Sequence, residues 1–415
     1  MLLNLSRAET YLEQYGLDAV VATSPVNVTY LTDYSCWLDP LLKEYMTKPG
    51  GSTEALTNYA IIARGGEGGL VIRPAFATNV TACWVSRLRF SAPLMFDRSQ
   101  LVESTPCSQE ARQRWELFTA HDPDESPEAG LASMLQEMGL ADARIGVEQE
   151  GLSDRQREQL GVVLEKAEIR DCSNLLRLVR MVKSDEEQQR LARCAQINER
   201  AGLASLDSAR AGVSIRELIR HYRVAIAQED ATLEHYAYSI DGLGIATQPD
   251  YTLQDGDTIF VDFGCIHDHQ FSDTGTTLMV GTASPELVAH YTALGEALVA
   301  GQAAAEVGAR VSSVHQAMAS VIQGHRLSAP AHGHSLGLEV REYPILLPSH
   351  GGRIRDECVD VDADLSLEAG MIFNLETPLF LPPSGAFQIE KTFIMTDEGC
   401  RPLIEQNRSG PVVCT

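Results

Sequence analysis

Two segments of the chain interrupt apolar strand sequence with carboxylates, and few folds tolerate that pattern. Residues 258–280, TIFVDFGCIHDHQFSDTGTTLMV, read as strand, polar turn, strand. Residues 371–396, MIFNLETPLFLPPSGAFQIEKTFIMT, read the same way around the breaker PPSG. A turn centred on His267 and Asp268 sets Asp262 opposite Asp273. A turn centred on Pro383 sets Glu376 opposite Glu390. Directly opposed residues share a face, roughly 5 Å apart. One acid on a strand is ordinary solvent exposure. Opposed acids in two hairpins are costly, because like charges repel and an apolar face desolvates them. A cation between them removes the cost. The stretch PAHGHSLG adds His332 and His334, where glycines allow close backbone approach. Four carboxylates and one imidazole suit hard or borderline divalent ions such as Mn, Fe, Co or Zn. With bridging carboxylates the set can hold two ions about 3.5–4 Å apart.

The rest of the chain sets the context. Its 415 residues suggest two domains. A 44% apolar content can bury a core. With 57 acidic against 33 basic residues the formal charge is −24, which argues against a nucleic-acid partner. Nine scattered cysteines without a CxxC pair read as reduced thiols, so a cytoplasmic location is expected. No apolar run reaches the roughly 18 residues of a membrane helix, and the N-terminus lacks a cleavable signal pattern.

The first third reads as α/β. A helix over 5–15 ends at Gly16, DAVVATS is a buried strand, SPVNVTYLTDY a turn and second strand, and 59–74 a hairpin across ARGGEGG. Residues 103–127 look like a polar loop. Further on, AGLASMLQEMG and 152–168 read as helices, with ARIGVEQ as a strand between them. Ser184 and Glu187 form a capping box that opens a long helix, so the domain boundary is placed at about residue 178. Beyond it helices are expected at 185–210, 214–229, 285–306 and 311–324. Residues 345–366 form an insertion, either a lid or a surface loop.

At these motifs the sequence resembles the pita-bread metallopeptidase superfamily, in its prolidase, Xaa-Pro aminopeptidase and creatinase branch. VDFG, FSDTGTT, GHSLG, EAGMIFNLETP and QIEKTFIMTDEG match its five ligand motifs in order. The resemblance implies metal ligands Asp262, Asp273, His334, Glu376 and Glu390, with Asp273 and Glu390 bridging two ions. SPVNVTYLTDY and RLVRMVKSDEEQQRLARCAQI resemble the branch's N-domain and linker helix. The implied fold is an α/β creatinase-like domain, 1–178, followed by an α+β pita-bread catalytic domain, 179–415. A homodimer is implied as well.

Two departures stand out. The substrate-binding His that peptidases of this family keep about 17 positions before the first Asp is absent, its place falling near Ile245. The second His, seven positions after the ligand His, is replaced by Arg341. Two functions follow. The first is metal-dependent hydrolysis of a C–N bond in a small non-peptide substrate. The second is Xaa-Pro dipeptidase or aminopeptidase activity, with a lyase or a non-catalytic binding module as lesser alternatives. In either hydrolase Glu376 is the candidate general base. Arg341 is a candidate for stabilising the oxyanion or binding a substrate carboxylate. His332, and Tyr34 and Trp37 from the loop 35–46 region, are further candidates for substrate contact, although core packing is the better account of the two aromatics. His269 is a candidate to support the ligands from behind.

Overall fold

The computed structural model describes residues 1–35, 57–91, 108–282, 284–405 and 410–414. Trp37 lies outside them. The chain divides into two compact units, Met1–Arg180 with Ile354–Val361, and Met181–Arg353 with Asp362–Thr415.

The first unit opens with α1 (Leu5–Gln14), closed by a left-handed Gly16, then β1 (Ala19–Ala22) and α2 (Pro25–Thr32). Here a strand was expected, and the chain is helical instead. The Ser24 side chain accepts the Asn27 N–H, Pro25 fills the first turn and Asp33 at φ 59° stops the helix, so capping overrides the β-branched composition. The hairpin of β2 (Tyr59–Ala63) and β3 (Gly68–Ile72) follows, then β4 (Arg87–Phe90). Next comes α3 (Gln109–Thr119), capped by Ser108, within a stretch whose polarity suggested a loop. The unit continues through α4 (Pro127–Glu137), β5 (Arg144–Val147), α5 (Asp154–Val163), β6 (Glu168–Asp171) and α6 (Ser173–Arg180). Its six strands run in the order β4-β3-β2-β1-β5-β6. Tyr34 is fully buried, so it packs a core and offers no surface to a substrate.

Part of the expected insertion also belongs to this unit. Asp356 Oδ2 accepts the backbone N–H groups of Asn174 and Leu175 at 2.7 and 3.0 Å, satisfying free donors in the first turn of α6. Glu357 accepts from the Asp171 N–H at 2.6 Å. The segment 354–361 is therefore tied down, and is neither a lid nor a plain surface loop.

The second unit begins with α7 (Asp185–Leu206), opened by the Ser184–Glu187 capping box, then α8 (Ile215–Ala227), β7 (Thr232–Ser239), β8 (Ile245–Ala246), β9 (Thr258–His267) and β10 (Gln270–Val280). It continues with α9 (Pro285–Ala304), α10 (Val311–Gly324), β11 (Gly333–Ser335) and β12 (Glu342–Leu346), before the small pair β13 (Arg353–Arg355) and β14 (Asp360–Asp362), most of which belongs to the first unit. The C-terminal elements are β15 (Ile372–Glu376), β16 (Leu379–Leu381), β17 (Gly385–Phe387), β18 (Glu390–Thr396), β19 (Gly399–Pro402) and β20 (Val412–Cys414). One large sheet runs β12-β11-β15-β18-β10-β9-β7-β8, with β19 on β18 and β20 on β10. Strand alternation divides its faces. Ile259, Val261, Phe263 and Cys265 of β9 pack with Ile197 and Ala201 of α7 and with Leu218 and Tyr222 of α8. Asp262 and Gly264, with the opposite parity, are left for the other face. The architecture is an α/β domain followed by a mixed α+β domain, consistent with a pita-bread fold.

Candidate metal centre

The carboxylates meet because of sheet register. Glu376 pairs with Glu390, as a turn at Pro383 requires. Glu390 pairs with Gly275, and Gly275 with Asp262. His332 bridges to Glu376 on the far side. The row His332–Glu376–Glu390–Gly275–Asp262 thus crosses five adjacent segments on one face. Two residues along, Gly264 pairs with Asp273 and Asn374 with Thr392, and the Asn374 side chain accepts the His334 N–H at 2.8 Å.

One expectation needs correction. Asp262 is not opposite Asp273, because the hairpin turns one residue later than expected. Asp268 (φ 51°) and His269 (φ 66°) are the two left-handed turn residues, a pair without glycine or asparagine to mark it. Asp273 faces Gly264, and Asp262 is its diagonal neighbour on the same face. His269 is spent on the turn. The glycines leave the room the acids need. A Cβ on Gly275 would lie 2.2 Å from the Gln388 side chain, whose amide reaches both Glu376 and Glu390 at 3.3 Å.

Asp273, Glu376, Glu390 and His334 are all buried. His334 Nδ1 lies 3.0 Å from the Ser335 carbonyl, so a proton there donates to it and Nε2 keeps its lone pair, which the Asn374 amide meets at 3.2 Å and an ion would take over. His334 Nε2 is 3.6 Å from Asp273 and 3.8 Å from Glu376. Asp273, His334 and Glu390 offer ligand atoms within 4.8 Å of one another. Burial holds Asp273 and Glu390 well above the carboxylate range, and the charges of Asp262 on Asp273, and of Asp273 on Glu390, add to it. Burial would also raise Glu376, yet the His332 and His334 imidazoles outweigh it and hold Glu376 below that range. Burial lowers His334.

Asp273 Oδ1 and Glu376 Oε1 are buried without a hydrogen-bond donor among the described residues. His332 Nε2 lies 3.0 Å from Glu376 Oε1, near enough for charge but off the line of a hydrogen bond. Orphaned, buried carboxylate oxygens beside a histidine lone pair are the donor set a divalent ion takes, so the residues present fit such an ion. Arg341 is exposed beside the centre, and its charge helps to disfavour protonation of His334.

One residue escaped the sequence reading. His235 of β7 places Nε2 3.0 Å from Asp262 Oδ1 and 3.4 Å from Asp273 Oδ1, while Nδ1 meets the Glu234 carboxylate. Burial works against its charge, but the hydrogen bonds to Asp262 and Glu234 prevail and push it up to about 11. A lone histidine in TLEHYAYS carries no motif. Its only visible partner in sequence is Gly264, the small residue it packs on.

The chain is similar to known metallopeptidases and dipeptidases. The model of metallopeptidase family M24 matches residues 189–397. An Xaa-Pro dipeptidase of Pyrococcus furiosus is 22% identical over 249 residues, 58% of this chain and 68% of the relative. An Xaa-Pro dipeptidase of Lactobacillus helveticus is 24% identical over 258 residues, 59% of this chain and 65% of the relative. Among solved structures, a dipeptidase from Pyrococcus horikoshii OT3 superposes with TM-score 0.71 at 19% identity, covering 99% of both chains. The prolidase from Pyrococcus furiosus gives 0.66 at 17% identity, covering 96% of this chain and all of its own.

Proposed function

Because the chain belongs to metallopeptidase family M24, and is a metallohydrolase of the prolidase and aminopeptidase P superfamily, we propose that it cleaves Xaa-Pro dipeptides at a centre of two divalent ions held by Asp262, Asp273, His334, Glu376 and Glu390. The pair of orphaned oxygens, Asp273 Oδ1 and Glu376 Oε1, carries this reading. When bound, the ions supply Lewis acidity that polarises the scissile carbonyl and acidifies water enough to give a nucleophile near neutral pH. Glu376, held ionised by the neighbouring imidazoles, takes the proton of the attacking water on Oε1 and returns it to the leaving nitrogen. His332, 3.0 Å away, steadies that carboxylate through both protonation states. Arg341, exposed at the rim, binds the substrate's free carboxylate.

The absence of the two peptidase histidines favoured a non-peptide substrate. Two other imidazoles, His235 and His332, now flank the carboxylates, and this weakens that objection. One observation still favours the non-peptide reading: Ile245, standing where such peptidases keep a histidine, is 61% exposed and offers only apolar surface. The test is hydrolysis of a panel of Xaa-Pro dipeptides and N-acyl amides by the Mn-loaded protein. Arg341→Met should raise KM for the dipeptides about tenfold with little change in kcat, as for one lost charge-assisted hydrogen bond of about 1.5 kcal/mol. Turnover of acyl amides alone would reject the dipeptidase reading.

A further inference from the structure

We propose that His235 is a metal ligand of this centre, binding through Nε2 the ion that Asp262 and Asp273 hold, with Glu234 fixing its ring from behind. The inference rests on reading the site as a metal centre, and adds a nitrogen donor that the five-residue set lacks on this side. His235, Asp262 and Asp273 offer ligand atoms that all lie within 4.8 Å of one another.

The backbone explains how the histidine arrives there. Strand β7 pairs Leu233 with Cys265 but His235 with Gly264, so one extra residue, Glu234, is bulged out of the ladder. Without the bulge His235 would pair with Phe263 and face the helices. With it, His235 shares the face of Asp262 and Asp273. Re-aiming a side chain is a common use of a bulge. The opposite strand makes room, because a Cβ on Gly264 would lie 2.6 Å from the imidazole.

The same bulge delivers the second carboxylate. Glu234 meets Nδ1, so the ring donates there and turns Nε2 toward Asp262 Oδ1 and Asp273 Oδ1, where an ion would replace the proton that Nε2 gives to Asp262. A carboxylate behind a histidine that faces an ion is the usual way proteins fix the tautomer and orientation of a metal-binding imidazole. The orphaned Asp273 Oδ1 is aimed into the same space.

Metal binding without substrate tests this apart from the peptidase reading. Purified full-length chain is stripped with chelator and titrated with Mn(II), and affinity and stoichiometry are read by equilibrium dialysis. His235→Ala should weaken one class of site at least tenfold and leave the other unchanged, and free imidazole should restore part of the loss. Unchanged affinity and stoichiometry would overturn the proposal. So would tighter binding, since His235 would then be a counter-ion that metal must displace. If His235→Ala fails to fold, Glu234→Gln decides, with a tenfold or greater loss expected and wild-type affinity overturning it. A chain that binds Mn(II) through His235 but cleaves no dipeptide would reject only the proposed substrate.

Discussion

Glu376 is buried in a strand yet held ionised, and His332 is the nearest reason. The imidazole touches Oε1 at 3.0 Å, and the two backbones bridge from N–H to carbonyl in both directions. His332→Ala removes the imidazole that lowers Glu376 while burial stays, so the Glu376 carboxyl should rise. The acid limb of kcat/KM, which reports the free-enzyme base, should move to higher pH, while a merely structural histidine would lower activity at every pH without moving the limb. The acids themselves were legible in the sequence because a carboxylate in an apolar strand demands a partner. The imidazole that completes the Asp262 side was not. His235 has no flanking glycine, and without the bulge strand alternation assigns it to the wrong face.

The segment after His334 is held by another pairing. Lys183, just ahead of α7, meets Glu342 Oε2 at 2.6 Å with both side chains almost wholly buried. Glu342 also accepts the Glu339 N–H, and Gly337 leaves space where a Cβ would sit 2.6 Å from Glu342 Oε1. This pins residues 337–342 between β11 and β12 and so sets where Arg341 emerges. Lys183→Met should leave an uncompensated buried carboxylate and cost about 3–5 kcal/mol, measured by denaturant unfolding. Lys183→Met with Glu342→Gln should recover much of it. A single variant as stable as wild type would show the pair to be solvated. Helix positions in this unit were readable from periodicity and caps, as at Ser184. Hairpin register was readable where a breaker such as Pro383 marked the turn. It slipped by one residue at Asp268–His269, where no glycine or asparagine announces the left-handed pair. Helix α2 was misread for a related reason, since one serine cap outweighed a run of strand-forming side chains.

At the scale of the molecule, the sheet gathers like charges that the fold alone does not compensate, and this links stability to pH. Asp273 and Glu390 titrate above ordinary carboxyls because of burial, with the charge of Asp262 acting on Asp273 and that of Asp273 on Glu390, and His235 is pushed up to about 11 by its carboxylate partners, against burial. In the unfolded chain such groups titrate near ~4 and ~6.5. The folded state therefore binds more protons than the unfolded one as pH climbs past those values, and stability falls. Glu376 and His334 shift the other way, and their gain is complete once pH passes ~6.5. Metal-free protein should thus melt lower at pH 9 than at pH 7. Saturating Mn(II) should raise the melting temperature more at pH 9, because the ion takes the place of the bound protons. At a hundredfold excess over Kd the ion adds about 2.7 kcal/mol. The surface charge, −24 overall, pushes in the same direction, but it is screened within about 3 Å at 1 M salt while buried pairs are screened much less. The pH dependence should therefore survive 1 M salt and flatten in Asp273→Asn. If salt abolishes it, the surface is responsible and the buried carboxylates are not.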